Sequence, residues 1–190
     1  MNFMSEFRTV DLIIASEANT RGVDAFALSL IKAERQLRKC FTHLIYQFEC
    51  FGPADIKNLR DTLASNKRVY FEGIENGFNT LHPITVKALV GVDYDRLRGR
   101  LNEAIEHRNK IFHGQLTDKC LSREDLIDFV YDIRAWCDIL ARKANDSFGY
   151  DGFSRNSFQK STDTKFFQSL KVNIESIADY EKFIRDNMQR

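Results

Sequence analysis

The chain has 190 residues, of which 43% are hydrophobic and 29% are charged, and this is typical of one globular domain with its own core. No apolar run approaches the ~20 residues that a membrane span needs. The formal net charge of +1 excludes a protein that grips nucleic acid with a uniformly positive surface, but it permits a local basic site.

The cysteines and the N-terminus bear on the compartment. Cys40, Cys50, Cys120 and Cys137 include no C-x-x-C pair, and three of them lie in helical patterns, which indicates buried thiols in a reducing cytosol. The N-terminus lacks a positive start followed by an apolar core, so no signal peptide is expected. We therefore expect a cytoplasmic protein.

The first third of the chain predicts two helices. Residues 1–22 contain a short element that the pattern leaves open between helix and strand. Over residues 24–51, apolar side chains recur at alternating steps of four and three, which predicts one long helix ended by Gly52 and Pro53. Residues 54–65 predict a shorter helix.

The next segment, residues 67–82, is ambiguous. It combines strand-forming residues with helical spacing, and Gly73 and Gly77 weaken either structure. We favour an irregular helix here. Pro83 then suits the first turn of a short helix that runs to about Val90.

Two long helices follow, over about residues 94–113 and 123–148. Gly114 is well placed as the left-handed residue that ends the first, and Gly149 ends the second. Ser122 begins the second with a capping box that uses Asp in place of Glu.

Residues 150–190 differ in composition. A stretch of turn formers interleaves aromatic and basic residues, either as a single-strand binder does or simply to pack its rings on the domain. A final helix is expected near residues 175–188. The sequence thus predicts an all-α, up-and-down helical bundle over residues 1–149, with a loop and helix over residues 150–190 packed on the same domain.

The junction of the two long helices, residues 108–114, contains the candidate functional site. On a helical wheel at about 100° per residue, Arg108 falls in the middle of the apolar arc of its helix. A cation there is costly to bury unless an acidic side chain, a partner chain or a phosphate pairs with it. His113 lies about 140° away on the wheel, so the two side chains meet only if the helix end is distorted, which Gly114 permits, or if a second copy contributes.

Arg108-Asn109, followed by His113 at a helix end, resembles the signature of the HEPN superfamily, whose motif is an arginine and a histidine separated by four to six residues. That resemblance implies a small helical domain that works as a homodimer and cleaves RNA without a metal. It also implies Arg108 and His113 as catalytic residues supported by Asn109. Members recur in toxin–antitoxin and antiviral defence systems, which makes an antitoxin or inhibitor protein a further expected partner.

Four other residues of the same helix are candidate RNA-binding residues. Arg98 and Asn102 share the flank of His113, and Arg100 and Lys110 lie on a basic side of the helix. The alternative for this side is an ordinary solvated face. No ligand spacing indicates a metal site, and no cofactor or membrane partner is expected.

Three alternatives remain open at this level. The loose motif also matches Arg38–His43 and Arg100–His107, although those pairs lie inside continuing helices. Arg108 could instead pair with an internal acid such as Glu34 or Asp138, while His113 caps the helix. A third alternative is a HEPN-like module that binds a nucleotide or a protein without catalysis.

Overall fold

The computed structural model describes residues 3–114, 121–154, 158–162 and 168–189. These residues form an all-α bundle without strands, which confirms the predicted fold class. The helices are α1 (Phe3–Glu6), α2 (Arg8–Ala15), α3 (Arg21–Tyr46), α4 (Ile56–Ser65), α5 (Phe71–Leu81), α6 (Val86–Val90), α7 (Tyr94–Phe112), α8 (Arg123–Phe148) and α9 (Ile177–Asn187).

The two longest helices, α3 and α8, pack against each other at the centre of the bundle, and the other helices surround them. The apolar stripe of α3 is fully buried, including Leu37, Phe41 and Leu44. Trp136 of α8 is also fully buried, and its ring lies 6.2 Å from Phe71. Burial of large side chains on this scale is the main favourable contribution to folding.

Local capping signals place the helix ends that flank the candidate site. Gly114 has a φ angle of 64°, as predicted for a left-handed terminator, and Gly149, which was predicted to end its helix, has a φ angle of 73°. The predicted capping box at Ser122 is present, because the Ser122 side chain accepts from the Asp125 amide and Asp125 accepts from the Ser122 amide.

The predicted end of the first long helix is wrong, because α3 stops at Tyr46 rather than near residue 51. The ammonium of Lys160 donates to the carbonyl oxygens of Tyr46, Gln47 and Phe48, at 2.5, 3.3 and 2.7 Å. These carbonyls lie where the helical hydrogen bonds end and need other donors. Because Lys160 lies more than a hundred residues further along the chain, the local sequence pattern could not predict this end of α3.

The two glycines of α5 have a packing role, and α5 is a regular helix rather than an irregular one. A Cβ atom at Gly73 would lie 2.0 Å from the carbonyl oxygen of Met188, and one at Gly77 would lie 2.7 Å from the Met188 Cγ. Glycine at both positions lets the end of α9 lie directly on α5. The C-terminal segment is therefore anchored in the bundle core, where Tyr180 and Ile184 are also buried.

We expect Gly73→Ala to destabilise the protein by about 1–3 kcal/mol, because the new methyl group would overlap the backbone of Met188. Gly99→Ala is the matched control, since Gly99 is also inside a helix but has nothing within 4 Å of the position that a methyl group would take. That control should stabilise by about 0.5–1 kcal/mol. Urea unfolding measures both, and equal stabilisation by the two changes would contradict the close contact.

The cysteines only partly follow the prediction. Cys40 and Cys137 are buried, and burial raises the pKa of both thiols. Cys50 is exposed, lies beyond the end of α3 and donates to the Ile174 carbonyl at 3.2 Å, so its predicted burial in a helix is wrong. Cys120 lies outside the described residues.

Among the helices that are described, none has the length and apolar character needed to cross a bilayer.

Candidate functional site

Arg108, Asn109 and His113 line one cleft of about 660 Å³. The facing wall comes from α3, from the connection between α4 and α5, and from the start of α5. The remaining lining residues are Leu30, Glu34, Arg38, Ala64, Asn66, Lys67, Val69, Tyr70, Phe71 and Ile105. The cleft therefore combines polar and charged groups with an apolar floor, as ligand sites usually do.

The end of α7 brings the arginine and the histidine to the same cleft within one chain. The helix ends at Phe112, His113 has φ −90° and ψ 7°, and Gly114 turns the chain with a left-handed conformation. The His113 amide donates to the Asn109 carbonyl at 3.1 Å, which holds the turn closed. His113 is exposed. Arg108 and His113 thus line the same cleft within one chain, while the His113 amide keeps the ordinary i→i−4 hydrogen bond of a helix.

Arg108 has no anionic partner in the described part of the chain. Its Nε atom is buried and makes no hydrogen bond with any residue that the structure describes. Glu34 pairs instead with Arg38 at 2.8 Å, and Asp138 pairs with Arg142 at 3.0 Å. The alternative in which Arg108 forms an ion pair with one of these two acids is therefore wrong. A buried guanidinium donor without an acceptor is costly, and an anion entering the cleft would satisfy it.

The first of the other two motif matches, Arg38 with His43, is divided between the cleft and the core. His43 is buried and stacks on Tyr150, with ring centroids 4.9 Å apart. Only Arg38 of this pair lines the cleft. The two side chains therefore do not share a site.

The second match, Arg100 with His107, lies in acidic surroundings. Both residues line a separate cavity of about 290 Å³, together with the carboxylates of Glu103, Asp125 and Asp128. An acidic cavity repels phosphate. Of the three motif matches, only the pair at residues 108 and 113 thus lies in a cleft suited to an anion.

Arg98, predicted to bind RNA, is held inside the protein instead. Its side chain is only 12% exposed, and its Nε donates to Glu75, which is 5% exposed, at 2.6 Å. The guanidinium also lies over the Phe71 ring. Burial and a hydrogen bond to Glu75 raise the pKa of Tyr94, the third member of this cluster, to about 12.

The other three predicted RNA-binding residues also lie outside the cleft. Arg100 donates to Asp132 and Glu103, at 2.8 and 2.9 Å, and Asn102 is exposed and accepts from Arg98. Lys110 is half-buried on α7. A helical wheel identifies charged residues on one flank of α7. It does not show that Arg98 pairs with Glu75 of α5 or that Arg100 pairs with Asp132 of α8.

The wall of the cleft opposite α7 was not predicted as part of a site. Arg38 reaches it from α3, where nothing in the local pattern distinguishes it from a surface residue. Asn66, Lys67 and Tyr70 come from the α4–α5 connection, and the Tyr70 side chain is 58% exposed. The run Asn-Lys-Arg-Val-Tyr over residues 66–70 places bases beside an aromatic residue, and this signal could have identified the segment.

Comparisons with known proteins add nothing to this geometry, because no family model, no curated protein and no solved structure matches the chain. Within the described ranges, no group of three or more His, Cys, Asp or Glu side chains is arranged to hold a metal ion. The residues of the cleft are therefore the basis for a functional proposal.

Proposed function

We propose that the protein is a metal-independent endoribonuclease of the HEPN type, with Arg108 and His113 as catalytic residues and Asn109 in a supporting position. The observation that carries the proposal is the partly buried guanidinium of Arg108, which has no partner among the described residues and lies in the same cleft as His113. Catalytic sites keep such unsatisfied groups because the substrate, rather than the protein, completes them.

The chemistry uses the hydroxyl group that distinguishes RNA from DNA. The 2′-oxygen attacks the adjacent phosphorus, the 2′-proton moves to a base, and the bond from phosphorus to the 5′-oxygen breaks as that oxygen receives a proton. The products are a 2′,3′-cyclic phosphate and a 5′-hydroxyl. An imidazole such as that of His113 can exchange these protons near neutral pH.

Arg108 stabilises the charge that builds up in this reaction. The pentacoordinate transition state carries more negative charge on its phosphoryl oxygens than the substrate does. A guanidinium offers a planar fork of donors to two such oxygens, and each donor aimed at developing charge typically contributes ~3–4 kcal/mol. Asn109 is exposed beside Arg108 and offers an amide to the same phosphate.

A homodimer is part of the proposal. The reaction needs one group that takes a proton and one that gives a proton, and His113 is the one histidine lining the described cleft. A second copy would supply the other imidazole if two clefts face each other. Phe112, next to His113, is 63% exposed, and an apolar ring at this position suits a subunit contact.

The physiological role that we propose is a toxin or an antiviral defence effector controlled by an antitoxin or inhibitor protein.

The second candidate function is a non-catalytic module that binds a nucleotide. The exposed Tyr70 ring favours it, since an aromatic ring beside Arg38 and Lys67 could stack on a base while the cations bind a phosphate.

The test is cleavage of an RNA oligonucleotide in EDTA. We expect cleavage to persist without divalent metal and to yield a 2′,3′-cyclic phosphate. A single 2′-deoxy substitution at the cleaved linkage should block cleavage there, because the attacking hydroxyl is then absent. Binding of the oligonucleotide without any cleavage would reject the nuclease and favour the nucleotide-binding module.

A further inference from the structure

A second groove adjoins the cleft. Its volume is about 470 Å³, and it is shared between the α4–α5 connection and the C-terminal helix α9. Asn66 and Lys67 line both the cleft and this second groove, so the two spaces meet at the α4–α5 connection. Arg68 and Arg185 line the second groove only.

The two spaces together concentrate positive charge. Five cations line them, Arg38, Lys67, Arg68, Arg108 and Arg185, against the two carboxylates of Glu34 and Glu181. This surplus of three positive charges exceeds the formal net charge of the whole chain, which is +1. A connected basic surface on an otherwise balanced protein is the electrostatic pattern of a polyanion site.

Three of these cations are also available to a ligand. In the described part of the chain, Lys67, Arg68 and Arg185 form no ion pair. Glu181 is one helical turn from Arg185, yet the two do not come within ion-pair distance. By comparison, the exposed Lys57 of α4 is paired, with Asp61 at 2.5 Å.

We infer that the two spaces form one continuous track for single-stranded RNA. This inference rests on the proposed nuclease function and extends it from a single phosphate to a flanking strand. The strand would pass from Arg108 across Lys67, where the exposed Tyr70 ring offers a stacking surface for a base, into the second groove. Arg68 and Arg185 would bind backbone phosphates there, so recognition would depend on length rather than on sequence.

The track gives the C-terminal segment a function. Arg185 is an exposed residue of α9, and the burial of Ile184 and Met188 holds that helix in place. The close contact of Met188 with Gly73 fixes α9 against α5, beside the α4–α5 connection. The helix at the end of the chain would thus form one wall of the RNA track.

The test compares two double variants of the full chain. Arg68→Ala/Arg185→Ala removes two charges from the track, and Arg8→Ala/Lys143→Ala removes two exposed charges that line neither space. The ligand is an unstructured 2′-O-methyl RNA of about twelve nucleotides, which resists cleavage and matches the usual length of single-strand sites. Binding is followed by fluorescence anisotropy over a series of salt concentrations.

We expect the track variant to bind RNA about tenfold more weakly, or weaker still, at low salt. The plot of log affinity against log salt should also become less steep, by about 1.4, because each lost phosphate contact on a single strand contributes about 0.7 to the steepness. The control variant should keep the parent's slope. An unchanged slope in the track variant, or an equal loss in both variants, would overturn the track.

Together with the cleavage test in EDTA, these binding measurements separate this inference from the proposed function. If the parent cleaves RNA but the track variant binds it as the parent does, the track is wrong and the nuclease stands. If the parent binds RNA through Arg68 and Arg185 but never cleaves it, the nuclease is wrong and the track stands. If the parent binds no RNA, both are wrong.

Discussion

Replacing His113 by alanine is expected to slow RNA cleavage by about 10²–10⁴-fold, because that is what a positioned proton donor or acceptor contributes. Arg108→Ala should slow it by about 10²–10³-fold, through loss of the donors that stabilise the transition-state charge. Arg108→Lys should recover only part of the rate, since a lysine retains the charge but lacks the planar fork. Single-turnover cleavage of an end-labelled RNA measures all three.

The stability of these variants makes the test specific. Arg108 has no ion pair to lose among the described residues and has a buried Nε without a partner, so Arg108→Ala should leave the melting temperature unchanged or raise it. His113 is exposed at the helix end, and its loss should likewise be tolerated. A drop in melting temperature that parallels the lost activity would instead mean that Arg108 is a structural residue.

His107→Ala serves as a control for the general effect of losing an imidazole from α7. His107 lines the acidic cavity and contacts the edge of the Phe129 ring, with centroids 5.6 Å apart. Its replacement should leave the cleavage rate within a few-fold of the parent. If His107→Ala is as inactive as His113→Ala, the assignment of the cleft is wrong.

The helix framework around the site was predictable because its signals are local. Ser122 caps α8 with a side chain three residues from its partner, and Gly114 and Gly149 end their helices through their own backbone conformations. These three positions place the motif at the junction of α7 and α8. The sequence therefore singled out Arg108, Asn109 and His113, the polar residues that the end of α7 contributes to the cleft.

Features that depend on distant contacts were not predictable. The glycines of α5 lowered the helix signal, yet they are there to accommodate Met188, more than a hundred residues away. Arg98 occupies a plausible flank for RNA binding, but Glu75, from a different helix, lies beside it. The opposite wall of the cleft, which includes Arg38, depends in the same way on tertiary packing.

Arg98→Ala should destabilise the protein by about 3–5 kcal/mol, in contrast to Arg108→Ala, because it would leave the buried carboxylate of Glu75 without its cation. Among the described residues, the Tyr94 hydroxyl, 2.6 Å from Glu75, would then be the one side chain that donates a hydrogen bond to that carboxylate. Arg96→Ala on the same helix is the matched control. Arg96 is 58% exposed and pairs with Asp132 at the surface, so its loss should cost about 1 kcal/mol or less.

A double variant separates the buried ion pair from a direct role in RNA binding. In Glu75→Gln/Arg98→Met the amide can still accept from the Tyr94 hydroxyl and no unpaired charge is buried, so most of the stability lost in Arg98→Ala should return. Because Arg98 lies outside the cleft, this variant should also bind and cleave RNA as the parent does. Full stability combined with weak RNA binding would restore Arg98 as an RNA ligand and contradict its structural role.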